Sequence, residues 1–169
     1  MGIFNPFEGT KEYETLLSDV RHGKGPVAVT GAVDPAKTQL LSAVSMDDVK
    51  GASGTGWKLF VVKDEASGKR FVRDLHGFGE AAWFYPAKDF LFYQADTQGT
   101  LLTRQRVEVL RHILEDQGGV IVTTIDALMD KVLGRETFTE AVLTIRPGMV
   151  IELEALNLKL SKLGFERAS

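Results

Sequence analysis

This chain of 169 residues contains no cysteine, which excludes disulfides and thiolate metal sites. Long apolar runs are missing as well: no stretch approaches the ~20 consecutive apolar residues that a helix needs to cross a bilayer. The opening Met1-Gly-Ile-Phe-Asn-Pro-Phe7 has neither the basic segment nor the apolar stretch of a secretory signal, so a cytoplasmic location is expected. Nor is there a surplus of positive charge. Twenty Lys and Arg against 23 Asp and Glu leave a formal net charge of −3, which gives no general pull toward nucleic acid. Histidine is scarce: His22, His76 and His112 fall on separate predicted elements with no second ligand at metal spacing. His112 with Glu115 reads as a pair on a helix surface. No metal and no cofactor is expected.

What is present is the balance of a globular domain, 44% hydrophobic and 25% charged, with length for one ordinary core and a small appendage. Helical and strand patterns alternate along it. Glu12 to Arg21 carries Tyr13, Leu16, Leu17 and Val20 at helical spacing and stops at Gly23-Lys-Gly25. Pro26-Val-Ala-Val-Thr30 reads as a short apolar strand, and Thr38 to Val44 as a helix. Gly51 to Gly56 is a joint; it follows a helix and precedes a strand, the reverse of a dinucleotide fingerprint. Trp57 to Val62 has the continuous apolar character of a buried strand, Lys69 to Phe78 a modest helix, and Ala82 to Tyr85 a short strand. The aromatic-rich stretch Pro86 to Tyr93 is broken by proline.

Leu101 to Asp116 is the clearest helix. Leu102, Val109, Leu110, Ile113 and Leu114 mark one side, and Arg104, Arg106, Arg111, Glu108 and Glu115 a solvated, mixed-charge side. Val120 to Ile125 reads as a central strand, with Asp126 capping a helix through Val132. Strand, helix, strand, helix predicts an α/β fold: a mostly parallel sheet with helices on both faces. After Gly134 the pattern changes to short strands at Glu140–Ile145 and Met149–Leu153 around a turn at Arg146-Pro147-Gly148. Leu153, Leu156, Leu160 and Leu163 then form a helical stripe ending at Gly164. These last elements make a short, partial α+β appendage.

One motif bears on chemistry. Gly31-Ala-Val-Asp34-Pro35-Ala36-Lys37-Thr38 differs by one residue from a phosphate-binding loop of the form Gly, four residues, Gly-Lys-Thr. In a working loop, backbone N–H groups converge on phosphate, and the Gly before the Lys lets the main chain approach it. Here that Gly is Ala36. Pro35 removes one donor, and Asp34 sets a carboxylate where phosphate needs a positive cradle. The same residues also read as Gly31 turn, Asp34 N-cap, Pro35 first helical residue and helix, with no nucleotide. A weak live site, with Lys37 and Thr38 still holding phosphate and Mg²⁺, is the alternative. Asp126 ends a strand as a magnesium-holding acid would, but Ala127 follows it, so the capping role is preferred.

Several runs together carry a family resemblance. They are Phe84-Tyr-Pro-Ala-Lys-Asp89, Tyr93, Leu102-Thr-Arg-Gln-Arg106 with Leu110, Val120-Ile-Val-Thr-Thr-Ile-Asp-Ala-Leu128, Pro147-Gly148 and the closing Leu156…Leu163-Gly-Phe-Glu-Arg167. In this order they resemble the amino-terminal region of the bacterial transcription-repair coupling factor family, Mfd. The match covers most of the chain; before Trp57 it is mainly architectural. The resemblance implies a nonfunctional copy of the UvrB NTPase domain over residues 1–138. It implies the beginning of the domain through which UvrB meets UvrA over 139–169. UvrA is then the expected partner, with most contact residues beyond Leu163. The motor that hydrolyses ATP and pushes stalled RNA polymerase along DNA is expected in later domains. UvrB itself resembles the chain less well, because it keeps an intact phosphate loop and a long aromatic hairpin.

Overall fold

The last strand in the sequence sits in the middle of the sheet. The structure, a computed structural model, describes residues 5–49, 56–88, 96–115, 118–163 and 165. Among these, β1 (Trp57–Val62), β2 (Ala82–Tyr85) and β3 (Gly119–Thr124) form one parallel sheet in the order β1-β3-β2. Trp57 lies opposite Gly119 at the start of one ladder, and Ala82 opposite Val120 at the start of the other. The run Val120-Ile-Val-Thr suits the central position: β-branched side chains fill both faces of a strand that has neighbours on both edges.

The helices between the strands follow from the right-handed crossover. From β1 to β2 the chain moves across the sheet in one direction, over α3 (Glu65–Gly77); from β2 to β3 it steps back over α4 (Asp96–Leu114). Opposite directions with one handedness put the two helices on opposite faces. The side chains show this with period two. Val120, Val122, Ala82, Phe84, Phe60 and Val62 pack with Leu75 and Phe71 of α3. Ile121, Trp83, Tyr85 and Trp57 pack with Val109, Leu110 and Ile113 of α4. α3 is capped by Asp64, whose side chain accepts from Ser67 N at 2.7 Å.

A third cluster joins α1 (Lys11–Arg21) to α2 (Asp34–Val49): Tyr13, Leu17 and Ala43, flanked by Phe7, Leu40 and Val44. The Tyr13 hydroxyl donates to Asp47 Oδ2 at 2.8 Å, and Arg21 donates to the Asp47 carbonyl at 3.1 Å. α1 ends in a Schellman motif, with Lys24 N donating to Asp19 O and Gly23 N to Val20 O, and Gly23 at φ 58°. α2 contacts α3 and is tied to the sheet by Lys58 Nζ, which donates to the Ser45 carbonyl at 2.7 Å.

The chain divides into two compact units, Met1–Lys131 and Val132–Ser169. The second holds α6 (Arg135–Ala141) and α7 (Leu153–Lys162). Phe138 is its one buried large apolar side chain among the described residues, whereas Leu153, Leu158, Ile145 and Phe165 are exposed and Val150 is 96% exposed.

Several expectations are corrected. Pro26–Thr30 forms no strand: its residues are exposed and none joins a ladder. β1 exists but is an edge strand, with Leu59 and Val61 53% and 51% exposed, because only β3 pairs with it. Glu140–Ile145 and Met149–Leu153 are not strands. Residues 135–141 take the helix instead, with Thr139 Oγ1 bonding back to the Arg135 carbonyl, and the remainder joins no described ladder. The turn at Arg146-Pro147-Gly148 is present, with Gly148 at φ 82° and Met149 N donating to Arg146 O. Asp126 is not a cap: α5 (Ile125–Met129) is capped by Thr124, whose hydroxyl accepts from Ala127 N at 3.4 Å, and Asp126 lies in its exposed first turn. The joint at 51–55, the aromatic residues 89–93, and Gly164 lie outside the described residues.

Candidate functional site

Gly31, at φ 84°, turns the chain into α2. The Val33 carbonyl accepts from Lys37 N at 3.0 Å, so the helix opens one residue earlier than expected. Asp34 is therefore a first-turn residue rather than the N-cap. A carboxylate there sits against the positive end of the helix dipole. It also accepts from the ammonium of Lys37 at 2.9 Å, an i,i+3 pair with both side chains exposed. The Lys37 hydrogen bond and charge, helped by Lys63 and Arg70, hold the Asp34 carboxyl below the usual carboxylate range.

The arrangement is self-occupied. The cation that a working loop offers to phosphate is already paired, and the anion at the helix start belongs to the chain itself. Pro35 supplies no N–H at that turn. Thr38, which a live loop would present to Mg²⁺, is 3% exposed and faces inward. The sequence-predicted residues Gly31, Asp34, Pro35, Ala36, Lys37 and Thr38 are thus brought together, but as a helix start with an internal ion pair. Lys63 is also accompanied by a carboxylate, with Nζ 3.8 Å from Asp64 Oδ2.

A second polar cluster went unforeseen. Arg106, assigned to the solvated side of its helix, is 6% exposed. Its Nη1 donates to the Pro86 carbonyl at 2.7 Å and to Asp130 Oδ2 at 2.9 Å, and its guanidinium lies 4.3 Å from the centre of the Tyr85 ring. Asp130 Oδ2 also accepts from Lys88 N at 3.1 Å. Thr123 Oγ1 donates to the Tyr85 carbonyl at 2.8 Å. Burial pushes the Tyr85 phenol up, against the pull of the Arg106 charge. The cluster ties the ends of β2 and β3 to α4 and to the exit of α5. A signal was available: 106, 109, 110 and 113 form an i, i+3, i+4, i+7 stripe, so Arg106 lies on the packed face by position.

The histidines stay apart. His22 caps the end of α1, His76 Nε2 donates to the Ala82 carbonyl at 2.7 Å, and His112 stacks on Trp83 with centroids 4.5 Å apart. Among the described residues no three His, Asp or Glu side chains are grouped to hold a metal ion, and no helix is long and apolar enough to cross a membrane. Comparisons with protein-family models, curated proteins and solved structures return no match to this chain.

Proposed function

We propose that this chain is a non-catalytic, pseudo-NTPase module of a transcription-repair coupling factor, acting as scaffold and regulator of the UvrA-recruiting region. The observation that carries the non-catalytic part is the Asp34–Lys37 pair at the start of α2. It engages internally the one cation that a phosphate loop would offer to nucleotide and adds a carboxylate that repels phosphate, and Thr38 is turned inward beside it. The ordered motifs from Phe84 to Arg167 support the family, and the parallel sheet with α3 and α4 on opposite faces is compatible with an NTPase-like ancestry. In this reading ATP hydrolysis, polymerase contact and DNA translocation belong to other domains of the parent protein, and UvrA is met through the following domain.

Calorimetric titration with Mg·ATP into the millimolar range tests the non-catalytic part. The expected result is no heat beyond dilution, for the wild type and for Lys37→Ala alike. Saturable binding that disappears in Lys37→Ala would overturn it and leave a weak nucleotide site built on Lys37 and Thr38. The partner is tested with a chain extended through the whole second domain and immobilised UvrA. Failure to bind where UvrB binds would remove the family assignment.

A further inference from the structure

Between α1, α2 and β1 lies a cavity of about 680 Å³, within the ~300–1,000 Å³ usual for small-molecule sites. α2 gives it a long wall: Lys37, Leu40, Leu41 and Val44 form an i, i+3, i+4, i+7 stripe that runs ~10 Å along the helix. Leu16 and Val20 of α1, one turn apart, and Phe60 and Val62 of β1 also line it, as do Val27 and Val29 before Gly31. Val20, Val27 and Val29 keep 42%, 42% and 53% of their surface open to solvent. An aliphatic chain laid in this slot would therefore gain by burial.

Charge enters the slot at one end. Asp19 and Lys37 are the two charged residues in its lining, and Asp19 is answered by Lys24 at 3.2 Å. Lys37 pairs with Asp34, and Lys63 and Arg70 also lie close enough to help hold the Asp34 carboxyl down. Asp64 pairs with Lys63, and Glu65 is answered by Lys69. Lys37, Lys63 and Arg70 thus stand against Asp34 and Asp64, three cations to two carboxylates, and one positive charge is left over where α2 begins.

We propose that the slot binds a free medium-chain carboxylic acid, its tail along Leu40, Leu41 and Val44 and its carboxylate at Lys37. The tail supplies the affinity and the cation sets the orientation. Both members of the Asp34–Lys37 pair are exposed, so the pair is weak, and an ammonium with three donors can serve a second carboxylate without giving up Asp34. A nucleotide makes a different demand: its phosphates need the backbone cradle that Pro35 and Ala36 deny, and it brings no aliphatic tail to the slot.

Calorimetric titration of the whole chain with sodium decanoate, kept below its micelle concentration, tests this. One molecule per chain with a sub-millimolar dissociation constant is expected, and decanol should bind about two- to fivefold more weakly. Lys37→Ala should erase that difference. Val29→Asp, which sets a carboxylate in the wall at an exposed position, should weaken decanoate by about tenfold or more while the circular dichroism stays that of the wild type. No saturable heat with the wild type would overturn the proposal, as would several molecules per chain, or decanoate affinity undiminished in Val29→Asp. Decanol binding the wild type as tightly as decanoate would overturn the place of the carboxylate at Lys37. Co-flotation with phosphatidylglycerol vesicles without saturable decanoate binding would assign the slot to a membrane lipid and likewise overturn the free acid.

Discussion

Truncating Arg106 to alanine should be among the most destabilising single changes in the chain. The guanidinium is almost wholly enclosed and bonds at once to Asp130 and to the Pro86 carbonyl, so its removal leaves a carboxylate buried with only the Lys88 amide and a carbonyl without its donor. Breaking a buried pair from one side costs about 3–5 kcal/mol. At ~2–4 °C per kcal/mol for a chain of this size, the midpoint of thermal unfolding should fall by roughly 10 °C. Arg104→Ala, on the exposed side of the same helix, should stay within about 0.5 kcal/mol of wild type. Urea denaturation of Arg106→Ala, Asp130→Asn and the double variant closes a cycle, and the two changes should couple by about 1–3 kcal/mol. Arg106→Ala costing no more than Arg104→Ala would refute the reasoning, since it would mean that the guanidinium is solvated in the folded protein.

Burial, followed by the hydrogen bond to Asp47, pushes the Tyr13 phenol up to about 12. Its folded pKa exceeds the unfolded value, so the stabilisation is whole below pH ~10 and fades as pH climbs toward 12; Tyr13→Phe should flatten that alkaline decline in a thermal scan. Asp34 behaves in the opposite sense. Its carboxyl is held down chiefly by Lys37, so the pair contributes above the unfolded pKa and is lost as pH falls through the folded one. Carbon-detected NMR titration should show Asp34 below the ordinary carboxylate range and moving up in Lys37→Ala. Gly119→Ala should destabilise by about 1–3 kcal/mol in urea. Gly119 is at φ 136°, and a Cβ there would meet Trp83 at 2.6 Å and the Ala81 carbonyl oxygen at 2.8 Å.

The elements legible in the sequence were those whose identity is local. Val120–Thr124 declares a doubly buried strand by its unbroken β-branched run, and α4 declares itself by spacing. Pro26–Thr30 has a strand's composition, but a strand is defined by its partner, and no local pattern shows whether one is engaged. Arg106 was misplaced because its charge was weighed above its position in the stripe. Glu140–Ile145 was misread because Thr, Val and Ile favour strands, while the preceding Arg135–Ala141 needed only seven residues to make two helical turns around buried Phe138. Asp126 lost the capping role to Thr124 because the strand ends one residue sooner than its apolar run suggests. In the candidate site, the three departures from a phosphate loop were legible. The ion pair that makes use of one of them, and the inward turn of Thr38, became visible only with the helix built.

The position of β3 also dictates an order of events during synthesis. Among the described residues β1 and β2 do not pair with each other; each pairs only with β3, which is made last of the three. Until Gly119–Thr124 leaves the ribosome, the apolar faces of both earlier strands have no ladder to join, and α3 and α4 have no finished surface to cover. The first unit therefore cannot acquire its sheet progressively from the amino terminus. It should condense in one late step, slow by virtue of its non-local pairing, and a nascent chain stalled before residue 119 should remain protease-sensitive throughout.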